Sequence, residues 1–512
     1  MKRIARALCL AAALPLFAAE PQSVAVVTVD PTKETGPIRL MNSVNGGPNV
    51  APVRGDQKRG NFETYRALRI PFARTHDCIA CVSGGAHACD ISAIFPDFDA
   101  DENDPKSYDF VFTDHYLDTM VRAGTKPFFR LGQTIEHGPK KYGVLPPKDF
   151  AKWARVCEHV VRHYNEGWGW ATDTAYTTEN IAWSNQFGIA YWEIWNEPDL
   201  DISDDPRNLP KGPRCWGGTA TNFFNLYEVA AKHLKSSFPK LRIGGPAICG
   251  DFAWAERFLA YCRDRRVPLD FFSWHTYATS VEHLTARCRI ARDLLDKYGF
   301  AKTESILNEW NFVKGWTDDW VYTLEVESGR FNQKCAAFIA AAMIDCQKAP
   351  LDHLMFYDAR PTGMNALFDK VTLWPMKGYY PFYAWARLRD YGTEVALRIQ
   401  EGRGVKVDAA TGVTFNENVA WELGQWHAVA AKGMDGALAV LLARYYASDD
   451  ASETGYARVF VPGANLKRAR CHVTDAVRTY TEVPVEPQAD GSFIVRMQPN
   501  SFALVELGTL RD

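Results

Sequence analysis

The chain has 512 residues, with 47% hydrophobic and 23% charged side chains, a balance that excludes a disordered chain and indicates a globular protein. Its length exceeds that of one ordinary core, so we expect two domains. The formal net charge of −3 provides no basic excess, which argues against nucleic acid or an anionic membrane surface as a partner.

The first 37 residues precede the region with a regular fold pattern. Residues 1–19 begin with the basic M-K-R-I-A-R and continue with a short apolar run that ends in small residues. This order predicts a cleaved export signal, and hence a periplasmic or secreted protein, because the run is too short to span a membrane. Residues 20–37 include the alternating V-A-V-V-T-V-D, which could add a strand to a sheet elsewhere in the chain.

Between residues 38 and 390, short apolar runs alternate with longer amphipathic stretches. The runs predict eight strands, at 38–44, 70–76, 126–131, 189–195, 241–245, 269–275, 304–309 and 353–358. The stretches between them have apolar residues at the three- and four-residue spacing of helices. Eight strand–helix units indicate a (β/α)8 barrel. A doubly wound sheet is the rival fold, but no glycine-rich phosphate fingerprint follows the first strand.

The pattern changes in residues 391–512. Short runs rich in valine, leucine and aromatic residues, such as A-L-A-V-L-L-A-R-Y-Y, are separated by Gly, Asp and Asn turns. These features predict a β-sandwich. The expected fold class is therefore α/β, a (β/α)8 TIM barrel followed by a C-terminal all-β sandwich domain.

A cysteine-rich segment, C-I-A-C-V-S-G-G-A-H-A-C, follows the second predicted strand. Its thiols and imidazole, at Cys78, Cys81, His87 and Cys89, are suitable zinc ligands. In an exported protein, a disulfide within a surface loop is favoured over a metal. We therefore expect no metal and no cofactor.

Two glutamates lie four positions apart in W-E-I-W-N-E-P, residues 192–198. Pro198 cannot donate to a sheet, so the fourth strand should end beside Glu197, at the carboxyl edge where barrel enzymes place their active sites. At the rise of a regular strand, Glu193 should lie about 13 Å lower, paired with a basic group inside the barrel. Glu197 is therefore the candidate for chemistry and Glu193 the candidate for structure.

The seventh predicted strand supplies a second carboxylate, because I-L-N-E-W-N ends it with Glu309. Barrel geometry brings the ends of strands four and seven to the rim of one pocket. Two carboxylates that face each other across a pocket can cleave a glycosidic bond, one as a protonated acid and the other ionised.

Together these motifs resemble the retaining (β/α)8 glycosidase clan, with W-E-I-W-N-E-P after the fourth strand and a glutamate ending the seventh. Within it, the chain is most similar to glycoside hydrolase family 39, whose best-known members are β-xylosidases and α-L-iduronidases. D-F-F-S-W-H-T-Y at the sixth strand and Y-D-F-V-F-T-D-H-Y-L-D-T-M-V-R-A-G-T-K-P-F-F around the third support that placement. The chain departs from the family at Asn308, where members commonly have threonine, and in the cysteine-rich segment.

The resemblance implies that Glu197 is the acid/base and Glu309 the nucleophile of a retaining enzyme. It also implies that Asn196 holds the sugar 2-hydroxyl, a contact that tightens in the transition state. The other residues that it places near the nucleophile or the sugar are Arg74, His76, His275, Tyr277, Trp310, Asp358 and Arg360. The implied partner is an oligosaccharide or glycoside, cleaved by exo-action of the β-xylosidase type.

Three alternatives stay open from the sequence. Uronic acid or arabinose, as in an α-L-iduronidase or an arabinosidase, fits the motifs as well as xylose does. A non-catalytic carbohydrate-binding protein would use aromatic residues on the same scaffold, although a decayed enzyme would be expected to lose one glutamate. An inverting enzyme would need carboxyl groups ~6.5–9.5 Å apart, against ~5–5.5 Å for retention.

Overall fold

A computed structural model describes most of the chain, beginning at residue 23. The described residues are 23–48, 60–78, 87–169, 187–201, 203–315, 332–361, 366–403, 405–408, 412–415, 425–448 and 453–508. The predicted export signal, residues 1–19, lies outside them and stays a prediction.

After β1 (Ser23–Pro37), eight parallel strands close into a barrel in chain order. They are β2 (Ser43–Asn45), β3 (Phe72–Arg74), β4 (Lys126–Leu131), β5 (Tyr191–Ile194), β6 (Arg242–Ile248), β7 (Phe271–Ala278), β8 (Glu304–Phe312) and β9 (His353–Phe356). Because β2 pairs with both β3 and β9, the sheet has no open edge, and the doubly wound alternative is excluded.

The α-helices in the described ranges cover the outside of the barrel and follow its strands. They are α1 (Phe62–Ala67), α2 (Ile91–Ile94), α3 (Val111–Arg122), α4 (Phe150–Glu166), α5 (Ala220–Ser237), α6 (Phe252–Arg265), α7 (Val281–Lys297), α8 (Gln333–Cys346) and α9 (Tyr379–Tyr391). The longer ones are capped at their first turn, as where the Asp149 side chain accepts the N–H groups of Ala151 and Lys152 at the start of α4.

The interior of the barrel is layered, because side chains on one face of a strand recur every second residue. Its amino-terminal layer is apolar and consists of Phe128, Tyr191, Phe271, Ile306 and Met355, with Phe72 packed against them. On five of these strands, the residue two positions further along is polar and fully buried: Arg74, Arg130, Glu193, Ser273 and Asn308. A buried polar layer of this kind must be hydrogen-bonded internally, and it supports the carboxyl edge above it.

The predicted fold class is confirmed, but some strands are shorter than their apolar runs. The first run was expected to form a strand over 38–44, whereas only Ser43–Asn45 joins the barrel. The start of that run is held differently, since the Ile38 N–H donates to the Gly392 carbonyl just beyond α9.

The remaining strands form a separate sheet with a core of its own. They are β10 (Thr393–Arg403), β13 (Trp426–Lys432), β14 (Leu438–Arg444), β15 (Gly455–Phe460), β16 (Asn465–Thr474), β17 (Thr481–Val483), β18 (Glu486–Pro487), β19 (Phe493–Met497) and β20 (Ser501–Gly508), while β11 (Val405–Asp408) and β12 (Gly412–Phe415) form a small hairpin. The segment at the start of the described chain, β1, lies inside this sheet, antiparallel to β10 and parallel to β15.

The two domains share an apolar contact. Val429, Leu441 and Leu504, on one face of the C-terminal sheet, belong to the same hydrophobic core as the barrel and its helices. The opposite face of those strands encloses the second core. Within the described residues, none of the helices has the length and apolar character needed to traverse a bilayer.

Candidate active site

Arg74, the last residue of β3, connects the polar layer of the barrel to the carboxyl edge. Its guanidinium is fully buried and donates to four side chains, one of them Asn45, whose Oδ1 lies 3.2 Å from Nη1. Nε reaches Glu193 Oε2 at 2.6 Å, Nη1 reaches Glu309 Oε1 at 2.7 Å, and Nη2 reaches Asn196 Oδ1 at 2.7 Å. One cation therefore orients both a structural carboxylate and a candidate catalytic one.

Glu193 is paired, as expected, with a basic group inside the barrel, Arg74. Its Oε1 also accepts from Ser273 and Asn308, at 2.6 Å and 2.5 Å. The strand ends early because Trp195 and Glu197 have left-handed backbone angles, with φ of 78° and 46°. The rise of an extended strand therefore does not apply to the last residues of the motif.

Glu309 is surrounded by groups that favour its ionised form. Arg74 donates to one carboxylate oxygen, and the Tyr277 hydroxyl donates to the other at 2.7 Å. His76 Nε2 lies 3.6 Å from the carboxylate. Burial raises the pKa of Glu309, while the positive charge of Arg74 opposes that rise. The bonds from Arg74 and Tyr277 fix the carboxyl group of Glu309 in one orientation.

Glu197 has a different environment, with no cation in contact among the residues that the structure describes. His275 Nδ1 lies 2.7 Å from Oε1, and the Cys215 thiol lies 3.9 Å from Oε2. The Cys249 thiol forms a further hydrogen bond to the same carboxyl group. Burial raises the pKa of Glu197 to about 7 and lowers that of His275 to about 4, so the imidazole is neutral near neutral pH.

The two carboxyl groups face each other closely. One oxygen of Glu197, one oxygen of Glu309 and a ring nitrogen of His275 all lie within 4.8 Å of one another. This separation favours the short spacing of retention, ~5–5.5 Å, over the ~6.5–9.5 Å that leaves room for a water between the carboxyl groups.

Two buried polar side chains at the site, Asn196 and His76, have atoms available to bind a ligand. Asn196 Nδ2 and both ring nitrogens of His76 form no hydrogen bond to the residues that the structure describes. Burial lowers the pKa of His76 well below its usual value, so its ring is neutral. Unsatisfied buried donors are costly, and a sugar hydroxyl is a group that could satisfy them.

Of the eighth-strand candidates, Arg360 and Asp358 pair with each other and reach the site through a tyrosine. Arg360 Nη2 donates to the Tyr357 hydroxyl at 3.0 Å and lies 3.6 Å from Asp77. The Tyr357 hydroxyl in turn donates to Asp77, which follows His76. These residues form one wall beside Glu309.

Trp310 does not reach the site, contrary to the sequence prediction. It is fully buried against Phe338 of α8 and Phe356, in the core between strand and helix. The reason is the alternation of a strand: Glu309 faces the barrel interior, so its neighbour faces outward.

Sequence inspection missed several residues of this site. Cys249 follows directly after β6, a carboxyl-edge position that could have marked it, and Asp77 adjoins a predicted residue. Cys215 lies in the segment before α5 and carries no comparable signal. Asp199 is nearly buried and accepts the backbone N–H groups of Cys249 and Asp251, at 2.7 Å and 3.1 Å, which fixes the loop beside Glu197.

The cysteine-rich segment is described only in part. Cys78 and Cys89 are buried neighbours, with the Cys89 N–H 3.4 Å from the Cys78 sulfur. His87 Nδ1 lies 2.5 Å from the Cys78 carbonyl oxygen. Cys81 lies outside the described residues, so the disulfide stays a prediction.

The strands form a closed parallel barrel with two facing glutamates, Glu197 after β5 and Glu309 within β8. These features define the class of protein, a (β/α)8 barrel with a two-carboxylate site. Residues 26–330 match the family described as Glycosyl hydrolases family 39, and the chain belongs to that family.

Two curated relatives are similar to part of the chain. A β-xylosidase of Geobacillus stearothermophilus is 31% identical over 212 residues, 40% of this chain and 37% of the relative. A β-xylosidase of Caldicellulosiruptor saccharolyticus is 29% identical over 188 residues, 35% of this chain and 33% of the relative. The matched segments thus span about a third of the length of those proteins.

Solved structures match over nearly the whole chain. A glucosidase from Croceicoccus marinus has a TM-score of 0.67 and 20% identity, covering 94% of this chain and 98% of that one. A monomeric β-xylosidase from Caulobacter crescentus has a TM-score of 0.61 and 17% identity, covering 95% and 99%. At this identity the likeness shows a shared fold.

Proposed function

We propose that the protein is a retaining glycoside hydrolase in which Glu197 is the acid/base and Glu309 the nucleophile. The observation that carries this proposal is the pair of facing carboxyl groups with opposite surroundings. Glu309 is bonded to Arg74 and Tyr277, whereas burial raises the pKa of Glu197 to about 7. One group is thus suited to attack and the other to deliver a proton.

The reaction proceeds in two displacements at the anomeric carbon. In the first, a Glu309 oxygen attacks that carbon while Glu197 gives its proton to the leaving oxygen, so the glycosidic bond breaks and a glycosyl ester forms. In the second, Glu197 takes a proton from water, whose oxygen attacks the same carbon and releases Glu309. Two inversions leave the configuration unchanged.

The neighbours of the two glutamates support these roles. Neutral His275 can share a hydrogen bond with Glu197 in either protonation state, which keeps the carboxyl group in place through both steps. The unbonded Asn196 Nδ2 is available to donate to a sugar hydroxyl beside the anomeric carbon. Such a contact strengthens as positive charge develops on the sugar ring.

For the substrate, we propose an exo-acting enzyme of the β-xylosidase type, working on plant- or host-derived glycans outside the cytoplasm. Support for the sugar comes from the two curated relatives, both named β-xylosidase. A glucosidase is among the similar structures, and an α-L-iduronidase or arabinosidase specificity is the alternative. Support for export is the basic and apolar pattern of residues 1–19.

The test is a panel of aryl glycosides: β-xyloside, β-glucoside, β-galactoside, α-L-arabinoside and α-L-iduronide, with the Glu309→Ala variant as control. We expect phenol release from the β-xyloside, lost in the variant, and a first-formed sugar of β configuration by NMR. A first-formed sugar of α configuration would show inversion instead of retention. If no substrate releases phenol and xylo-oligosaccharides still bind, the protein would be a carbohydrate-binding protein instead.

A further inference from the structure

A cavity lies at the end of the barrel opposite the two glutamates. Its volume is about 510 Å³, and it opens beside the first residues of β3 and β4. Its wall is partly apolar, and it also includes five cations: Arg66, Arg69, Arg122, Lys126 and Arg389. We call this cavity the basic pocket.

The basic pocket is a local excess of positive charge in a protein of net charge −3. None of the residues that line it is acidic. Three of the arginines have carboxylate partners outside the lining, which are Glu63, Asp118 and Asp390. Lys126 and Arg389 have no ion-pair partner among the residues that the structure describes.

Arg389 illustrates the cost of this arrangement. It is half-buried, and its Nη1 donates to Asn42 Oδ1 at 3.2 Å and to the Arg69 carbonyl at 3.0 Å. Both acceptors are neutral, and burial together with the nearby Arg69 charge lowers the pKa of Arg389. Like charges held together in a part-buried cavity repel each other unless an anion lies between them.

Helix dipoles explain the positions of some of these cations, but not why all five line one cavity. Arg66, Arg122 and Arg389 lie in the last turns of α1, α3 and α9, where a cation interacts favourably with the helix dipole. Arg69 lies beyond α1, and Lys126 begins a strand, so neither is explained in this way. The dipole effect also gives no reason for five cations to share one cavity.

We propose that the basic pocket binds a small molecule through a tetrahedral oxyanion, a phosphate or sulfate group. Guanidinium groups present paired N–H donors that match two oxygens of such an anion, and Lys126 adds a mobile point charge. The apolar wall formed by residues such as Ile70 and Phe72 suits the body of the molecule that carries the anion. This site is independent of the proposed glycosidase reaction, because it lies at the other end of the barrel.

The test is calorimetric titration of the whole protein with inorganic phosphate, inorganic sulfate and acetate, at one ionic strength set by chloride. We expect phosphate or sulfate to bind and acetate to bind more weakly. Lys126→Gln, an exposed change that should leave folding intact, is expected to weaken binding about tenfold, and Lys126→Gln with Arg389→Gln to abolish it. The ratio of phosphate to sulfate affinity identifies which oxyanion the pocket prefers.

The matched control is Lys240→Gln with Arg207→Gln, which removes two exposed charges elsewhere on the barrel. It should bind like the unchanged protein. Equal binding by the Lys126→Gln variant, or equal loss in the control, would overturn the proposal, because the anions would then respond only to overall charge. The absence of phosphate or sulfate binding to the unchanged protein would overturn it as well.

Discussion

The two glutamates of the candidate active site are the same residue type at equivalent places in the barrel, yet their surroundings differ. Glu309 contacts a guanidinium and a phenol hydroxyl, and its charge is supported from the layer below. Glu197 contacts an imidazole and two thiols, all neutral near neutral pH. A chemical role is therefore set by neighbouring side chains rather than by position at a strand end.

The difference begins one layer lower in the barrel. Arg74 is shared between Glu193 and Glu309, so a single positive charge serves two carboxylates. Burying that group without partners would be unfavourable, and each carboxylate helps to keep it in place. Glu197 receives no such direct contact, and burial dominates its pKa.

Replacing Glu309, the glutamate bonded to Arg74, should have the largest effect on activity. Under the proposed mechanism no glycosyl ester can form in Glu309→Ala, and we expect turnover to fall by about 10⁴-fold or more. Added azide should occupy the space left by the side chain and attack from the same face, giving a glycosyl azide of inverted configuration. Steady-state rates and NMR of the product measure both effects.

The control for this change is Glu304→Ala, at the opposite end of the same strand. That variant should fold and keep its activity, since Glu304 contacts Tyr191 and Arg242 and, within the described ranges, no residue of the site. Full activity in Glu309→Ala would contradict its assignment as nucleophile and remove the contrast with Glu197.

Replacing Glu197 should have a smaller effect on activity, and one that depends on the leaving group. Glu197→Ala removes the proton donor, so we expect a loss of about 10²–10⁴-fold on substrates with poor leaving groups and less on activated aryl glycosides. Azide should attack the accumulated glycosyl ester and give a product of retained configuration. If the azide product of this variant has inverted configuration, Glu197 would be the nucleophile and Glu309 the acid/base.

Much of this site could be predicted because it follows from strand ends. Glu197 and Glu309 stand at carboxyl edges in the sequence pattern, and the barrel brings those edges together. The wrong prediction, Trp310, came from reading an aromatic residue beside Glu309 as part of the pocket, although alternation along β8 turns it outward.

The rest could not be predicted because it depends on contacts between distant segments. Cys215 and Cys249 reach Glu197 from separate loops, and no spacing in the sequence relates them to it. The position of Glu193 depended on where β5 ends, which the left-handed backbone at Trp195 decides. Extended and left-handed residues cannot be told apart from the residue pattern at such a position.

The smallest expected effect concerns the thiols. The Cys249 hydrogen bond lowers the pKa of Glu197, so Cys249→Ala should raise it. In the proposed mechanism Glu197 must be protonated for the first step, so we expect kcat/KM to fall as the pH rises through its pKa of about 7. A higher pKa moves that basic limb to higher pH, whereas Cys249→Ser keeps a donor and should leave the limb near its original position. If pH profiles of the alanine and serine variants coincide, the thiol has no part in setting the proton affinity of Glu197, and the bonds of Glu309 to Arg74 and Tyr277 are what distinguish the two glutamates.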